Sequence, residues 1–332
     1  MSGSLGFFGG NQRILPLWAV PHMTALDIAV LFSGQGAQKV GMGADLAGLA
    51  EAQCLFAQAD EALGDRLSRI MFEGPIEELT RTSRCQPALY THGLALLALL
   101  RTRLPNLSVK AAAGLSLGEF TAHAAAGSFD FATGLRLVFR RGQFMEEACL
   151  ATRGGMLALL GGEVEAIEEL ARDCAVDVAN YNAPGQIVLS GSVEGIEKAA
   201  SLAKDRGIKR AIPLPVAGAY HSRLMQAAQE RLRAELDGAV IHPPQCTVVS
   251  NVLGSTVAEP SKIRETLTAQ VTGSVRWVEC MQDLIGKGHR RFVELGPDAT
   301  LAGLMGKLDK SIEVISIRDL ATLDEAVAKL QG

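Results

Sequence analysis

The 332-residue chain has no cysteines at metal-binding or disulfide spacing, few aromatics, and no apolar run long enough to cross a bilayer. Its six cysteines, Cys54, Cys85, Cys149, Cys174, Cys246 and Cys280, are scattered, with neither Cys-x-x-Cys nor a Cys/His cluster. That argues against a zinc ribbon or a disulfide framework. It predicts reduced core thiols in a cytoplasmic protein, with Cys149 as the exception. Aromatic residues make up 5% of the chain and no basic run is interleaved with them, so a stacking platform for bases is not expected. The net charge of −4 argues against a general nucleic-acid binder. Glycine-rich turns occur, yet none reads Gly-x-x-x-x-Gly-Lys-Ser/Thr or Gly-x-Gly-x-x-Gly, so neither nucleotide fingerprint is present.

Residues 1–22 carry one charge, Arg13, and an apolar stretch, Ile14 to Val20, that lacks the basic start of a signal peptide. They are read as an N-terminal extension or a remnant ahead of a natural start at Met23. Over the whole chain, 48% hydrophobic and 20% charged residues describe a globular protein with a substantial core, divided into one large domain or two smaller ones.

What the chain does have is Gly114-Leu115-Ser116-Leu117-Gly118. The small apolar run Val109 to Gly114 predicts a buried strand, and the Ala-rich run Thr121 to Ala126 predicts a packed helix. Gly-x-Ser-x-Gly between strand and helix is the nucleophile elbow, a sharp turn that holds a serine hydroxyl clear of the backbone. Glycines suit that turn because side chains would collide with its other arm. A serine at the helix start also faces free backbone N–H groups and the positive end of the dipole. The plainer alternative is an ordinary strand-to-helix turn.

In chain order, Leu26 to Phe32 predicts a first strand feeding the turn Ser33-Gly34-Gln35-Gly36. That loop either supplies backbone N–H groups to a site or is simply a tight turn. Residues 44 to 103 read as helices, broken at Gly74-Pro75 and ending in a long helix, Ala88 to Leu100, opened by Gln86-Pro87. His92 on that helix reads as a packed core histidine. Phe131 to Ala148 predicts another helix carrying Arg136, Arg140 and Arg141, which nothing local distinguishes. From Met156 the rhythm changes. Strands at Met156 to Leu160, Val176 to Asn180, Gln186 to Ser190 and Arg210 to Leu214 alternate with two helices in β-α-β-β-α-β order, the ferredoxin-like pattern. The expected organisation is therefore α/β. A large subdomain, 23–151 and 215–332, carries a small ferredoxin-like subdomain, 152–214, inserted within it. Further strands are expected at Thr247 to Asn251, Arg291 to Leu295 and Ile312 to Ile317, with a helix through Trp277 to Ile285.

A serine nucleophile needs a base, and histidine serves near neutral pH. His22 lies in the extension, His242 precedes two prolines, and His289 sits among charges. His123, seven residues after Ser116 on the elbow helix, points away from the hydroxyl. His221 remains, in a loop at the expected subdomain boundary, a favourable place for a catalytic side chain.

Several short motifs, in order, now carry a resemblance. They are Gly34-Gln35-Gly36, the Ser116 elbow with Gly118-Glu119, and Arg141-Gly142-Gln143-Phe144-Met145. Asn180 to Gly185, His221, Leu267-Thr268-Ala269-Gln270 and Glu294-Leu295-Gly296-Pro297 complete the set. From about residue 26 to 320 the chain resembles the malonyl-CoA:acyl carrier protein transacylases of fatty acid and polyketide synthesis. The resemblance implies an α/β-hydrolase-like core with a parallel sheet, and a Ser116–His221 pair without a catalytic acid. It makes the Gln270 carbonyl the group orienting His221, and the N–H groups of Gln35 and Leu117 the oxyanion hole. Arg141 would hold the free carboxylate of the malonyl group, with Asn182 and Tyr220 in support. No cofactor or metal is implied. The substrates would be malonyl-CoA and the phosphopantetheine thiol of holo-acyl carrier protein, used in ping-pong order by a monomer. Two departures matter: Leu115 stands where most relatives have histidine and is read as packing, while Tyr220 before His221 resembles the malonyl-selective type.

The alternatives are a serine hydrolase or acyl-carrier-protein acyl hydrolase of the same fold, and a non-catalytic scaffold. A His-Gly-Gly-Gly loop of the esterase type is missing. For an acidic carrier, Lys204, Arg206, Lys209, Arg210, Arg290 and Arg291 are the expected basic surface.

Overall fold

The apolar run Leu26–Phe32 forms strand β1, and its alternate side chains serve two cores. Ile28, Val30 and Phe32 face one cluster, whereas Ala29 and Leu31 face another. A run without polar alternation is buried on both sides, which suits a parallel sheet covered by helices. The computed structural model describes residues 25–332, so the expected extension at 1–22 lies outside the described residues.

Among the described residues, nine further strands follow. They are β2 (Leu107–Gly114), β3 (Gly154–Leu160), β4 (Asp177–Ala183), β5 (Gln186–Ser192), β6 (Arg210–Pro213), β7 (Thr247–Ser250), β8 (Ser255–Val257), β9 (Phe292–Leu295) and β10 (Val314–Ile317). The larger sheet runs β10-β9-β1-β2-β7-β8, parallel except for the antiparallel edge strand β8. Parallel pairing sends the chain out of β1, β2, β7 and β9 at one edge, with Phe32 opposite both Gly114 and Leu295. The Gln35 loop, the Ser116 turn and Asn251 are therefore brought together by topology. Open α/β sheets bind their ligands at this carboxyl edge.

The smaller sheet, β4-β5-β3-β6, is antiparallel throughout, and its strands alternate with helices Val164–Asp173 and Val193–Leu202 in the expected order. Ile167, Leu170, Ile196 and Ala199 from those helices pack on Leu157, Leu159 and Leu189. From its other face, Met156, Ala179 and Val188 join the main core. Two backbone hydrogen bonds stitch it down: Val275 N–H donates to Ala179 O (2.8 Å) and Tyr181 N–H to Val275 O (2.9 Å). No helix among the described residues is long and apolar enough to cross a membrane.

Three expectations need correction, and one strand, β8, was not expected. The helix assigned to Ala88 to Leu100 spans Thr82–Arg103, so Pro87 lies inside it rather than opening it. An interior proline loses the bond its N–H would make to Ser83 O and crowds that carbonyl, a cost of about 3 kcal/mol, which burial along the helix, Thr82, Ser83, Cys85 and Gln86 included, offsets. Strand β8, three residues at an edge, was too short to leave a pattern. Cys149 is a buried thiol, pushed up to about 11 mainly by burial, and the exposed cysteine is Cys54. The six basic residues do not form one surface beside Ser116. Arg290 and Arg291 precede β9, at the sheet edge opposite the Ser116 turn, and Arg206 is paired with Asp173 and Glu169. Lys209 and Arg210 sit by Gly161 and Leu160, whereas Gly154, at the other end of β3, is the part that touches Ala219 near His221.

Candidate active site

Between β2 and helix Leu117–Ala125, Ser116 takes φ 55° and ψ −106°, a conformation that L residues rarely adopt. The flanking glycines make the turn sterically feasible. A Cβ on Gly114 would sit 2.0 Å from the Gly118 backbone, and one on Gly118 would sit 2.2 Å from Phe32 O. Leu115 packs beside the second core and its carbonyl presses against Gly34, so it supplies bulk as expected.

A side chain that the sequence reading did not single out clamps the turn. Asn251, just past β7, accepts from Ser116 N–H at Oδ1 (2.7 Å) and donates from Nδ2 to Gly114 O (2.9 Å). Its own N–H donates to the carboxylate of buried Glu119 (3.1 Å). Nothing in the local sequence distinguishes Asn251. Its importance comes from β7 lying next to β2 in the sheet, a non-local fact.

His221 Nε2 lies 2.7 Å from Ser116 Oγ. His221 Nδ1 faces two carbonyls, Gln270 O (2.8 Å) and Gly273 O (3.1 Å). Carbonyls only accept, so Nδ1 carries the hydrogen and Nε2 is free to accept the serine proton. Burial, reinforced by the charge of Arg141, lowers the imidazole to about 4, which keeps it neutral at physiological pH, with the Nε2 lone pair free to take a proton. His221 also has positive φ, 57°, so both members of the pair are held in unusual backbone conformations. His123 is buried on Ser128 and His92 lies in the core, away from this pair, as expected.

Of the three arginines on helix Phe131–Ala151, Arg141 is 1% exposed. Its Nη2 donates to Ser116 Oγ (3.0 Å) and to Gln270 Oε1 (2.9 Å), its guanidinium lies 5.5 Å from the Phe120 ring centroid, and its Nε has no partner. Gly142 permits this approach, because a Cβ there would meet Thr82 O at 2.5 Å. Burial lowers Arg141 to about 10, which still leaves it charged at neutral pH. Arg140, by contrast, reaches Gln143 and Glu235 at the surface.

Gln35 and Tyr220 meet a few residues away. Tyr220 Oη lies 2.7 Å from Thr82 Oγ1, and Gln35 Nε2 donates to Tyr220 Oη at 3.3 Å. Leu117 is buried as the first residue of the elbow helix, where its N–H has no intrahelical acceptor, whereas the N–H groups of Gly118 and Glu119 donate to Leu115 O and Ser116 O. Asn182 is not drawn in. It lies where the β4 register shifts, its Oδ1 has no partner, and no hydrogen bond links it to Ser116, His221 or Arg141. Gln270 contributes more than the expected carbonyl, since its side chain also joins Arg141, Ser116 O and Glu119.

The arrangement suits attack by a hydroxyl on an acyl carbon. It offers a nucleophile, a neutral base, the Leu117 N–H at a helix start, and a buried positive charge for a substrate with a negative end.

Comparison with known proteins agrees in extent and in kind. An acyl transferase domain model matches residues 30–323. A malonyl CoA-acyl carrier protein transacylase from Bacillus subtilis is 41% identical over 310 residues, covering 92% of this chain and 97% of the relative. A crystal structure of the transacylase of that name from Clostridium perfringens superposes with a TM-score of 0.88 at 36% identity, covering 92% and 97% of the two chains. A malonyl-transacylase solved with a type II polyketide synthase acyl-carrier protein gives 0.86 at 34% identity, covering 91% and 99%.

Proposed function

The chain belongs to the acyl transferase domain family, and from that premise we propose that it moves a malonyl group from malonyl-CoA to the phosphopantetheine thiol of acyl carrier protein through an ester on Ser116. The observation that carries this reading is the convergence of His221 Nε2 (2.7 Å) and Arg141 Nη2 (3.0 Å) on one hydroxyl oxygen.

In the first half-reaction Ser116 Oγ attacks the thioester carbonyl and its proton passes to His221 Nε2. The N–H groups of Gln35 and Leu117 receive the oxyanion, where loss of one such donor costs about 3 kcal/mol. The carbon–sulfur bond then breaks and the coenzyme A sulfur takes the proton from His221. In the second half-reaction the carrier thiol gives its proton to His221, attacks the ester, and Ser116 leaves reprotonated. Main-chain carbonyls of Gln270 and Gly273 hold the imidazole, so the pair works without a catalytic acid. Arg141 holds the acyl carboxylate in a two-point, charge-assisted contact, and its unpartnered Nε is available for it. Tyr220, joined to Thr82 and Gln35, shapes the acyl pocket, and Asn182 takes no part in the dyad's hydrogen bonds.

The same reading treats the larger sheet as an α/β-hydrolase-like core and residues 152–214 as a ferredoxin-like subdomain inserted between 23–151 and 215–332. It needs no cofactor and describes a cytoplasmic monomer, consistent with six unpaired cysteines. Hydrolysis is the less favoured outcome, because the matched relatives bear transacylase names. An acyl-CoA panel scored for transfer to holo-carrier against release to water tests the proposal. Transfer of malonyl in excess of hydrolysis is expected, and dominant hydrolysis would overturn it.

A further inference from the structure

We infer that Glu119 is a positioning residue that fixes the Gln270 amide and, through it, the direction of the Arg141 guanidinium. This rests on the reading of Arg141 as the group that holds the acyl carboxylate.

Glu119 is the third residue of the elbow helix. Ser116-x-x-Glu119 is a capping-box pattern, in which the glutamate would reach back to the N–H of the capping serine. No such cap forms. Asn251 Oδ1 occupies the Ser116 N–H, and the serine hydroxyl faces His221 and Arg141. The glutamate is thereby released from capping and turns inward, with no solvent exposure. Its Oε2 accepts from Gln270 Nε2 (2.5 Å) and from Asn251 N–H (3.1 Å).

The amide orientation follows from donor and acceptor chemistry. One end of the Gln270 side chain faces Glu119 Oε2 and Ser116 O (2.9 Å), both acceptors, so that end is the NH2 group. The other end is therefore the oxygen, and it meets Arg141 Nη2 at 2.9 Å. A reversed amide would aim its N–H groups at the guanidinium. With Glu119 withdrawn, Ser116 O alone would hold the NH2 end, and Arg141 would lose a fixed partner on the side facing the nucleophile. What matters is an acceptor at this distance, not a negative charge. A carboxamide at position 119 can present an oxygen to both donors, whereas a shortened side chain cannot reach.

The test compares Glu119→Asp, Glu119→Gln and Gln270→Leu with the parent enzyme, measuring kcat/KM for enzyme acylation by malonyl-CoA and by acetyl-CoA. The malonyl-to-acetyl ratio is expected to fall about tenfold or more in E119D, chiefly through a raised KM for malonyl-CoA, because misplacing a binding group by one bond length weakens the contact. The ratio in E119Q should stay near that of the parent. Q270L keeps the main-chain carbonyl for His221 while removing the relay, and it should lose the ratio as E119D does. An unchanged ratio in E119D or Q270L would overturn the inference, as would a loss in E119Q, which would assign the effect to charge. A parent enzyme without malonyl preference, or an Arg141→Ala variant that keeps it, would instead refute the functional reading beneath.

Discussion

Replacing Arg141 with alanine should exchange one acyl group for another rather than silence the enzyme. The guanidinium is 1% exposed, carries its charge at neutral pH, and has an unpartnered Nε beside an Nη2 already turned to Ser116 Oγ. A malonyl carboxylate completes it, and two charge-assisted hydrogen bonds in a water-excluded site are worth about 3 kcal/mol after desolvation, or rather more than a hundredfold in kcat/KM. An acetyl group offers no carboxylate and leaves the buried charge unpaired, a penalty of about 1–3 kcal/mol that the alanine variant no longer carries. Malonyl acylation should therefore fall at least a hundredfold while acetyl acylation holds or rises. Rapid-quench acylation with each labelled thioester would measure both rates. Because Arg141 also helps to lower His221, the acid limb of acetyl acylation should move upward in R141A. Malonyl preference that survives the substitution would refute the argument, because no other buried cation contacts the Ser116 hydroxyl among the described residues.

Three further outcomes follow from the same geometry. In the parent enzyme the acid limb of acylation should lie near pH 4 rather than 6.5, because His221 must be neutral to accept the serine proton. A limb near 6.5 would mean an exposed imidazole. Gly114→Ala should abolish folded expression or destabilise the protein by about 4 kcal/mol or more, since its Cβ would lie 2.0 Å from Gly118 backbone atoms that cannot swing aside. Near-normal melting would show that the elbow is looser than described. Acid should also destabilise the fold. His92 at about 4, His123 at about 3 and His221 at about 4 all lie below the unfolded value, so the unfolded chain binds more protons below pH 6.5 and stability falls from there downward. At pH 5.5 the three cost about 4 kcal/mol relative to pH 7.5, and Glu119, raised to about 7 by burial, returns about 2. The net loss should lower the melting temperature by several degrees, and a melting temperature that is flat across this range would contradict those burials.

The parts of the site that lie close together in sequence were legible from it. Gly114, Ser116 and Gly118 announce a strand-to-helix elbow through their spacing, and the apolar run of β1 announces a strand covered on both faces. His221 could be reached by elimination, because only six histidines exist and the others lie in poor places. Arg141 could not be told from Arg136 and Arg140 without the family resemblance. What singles it out is the approach of Thr82 O to Gly142, a contact across 60 residues of chain. Asn251 was invisible for a similar reason, since its role depends on β7 lying beside β2. Glu119 carried a misleading signal, a capping pattern that the fold does not use. The basic residues illustrate the opposite error, in which similar chemistry suggested one surface and topology scattered it.

The most direct test is to mix the protein with malonyl-CoA alone and locate the acyl group by peptide mass spectrometry. The account predicts one malonyl ester on the Ser116 peptide, lost on adding holo-acyl carrier protein as the same group appears on the carrier's phosphopantetheine thiol. An unmodified Ser116, or an acyl group that leaves for water faster than for the carrier, would contradict it.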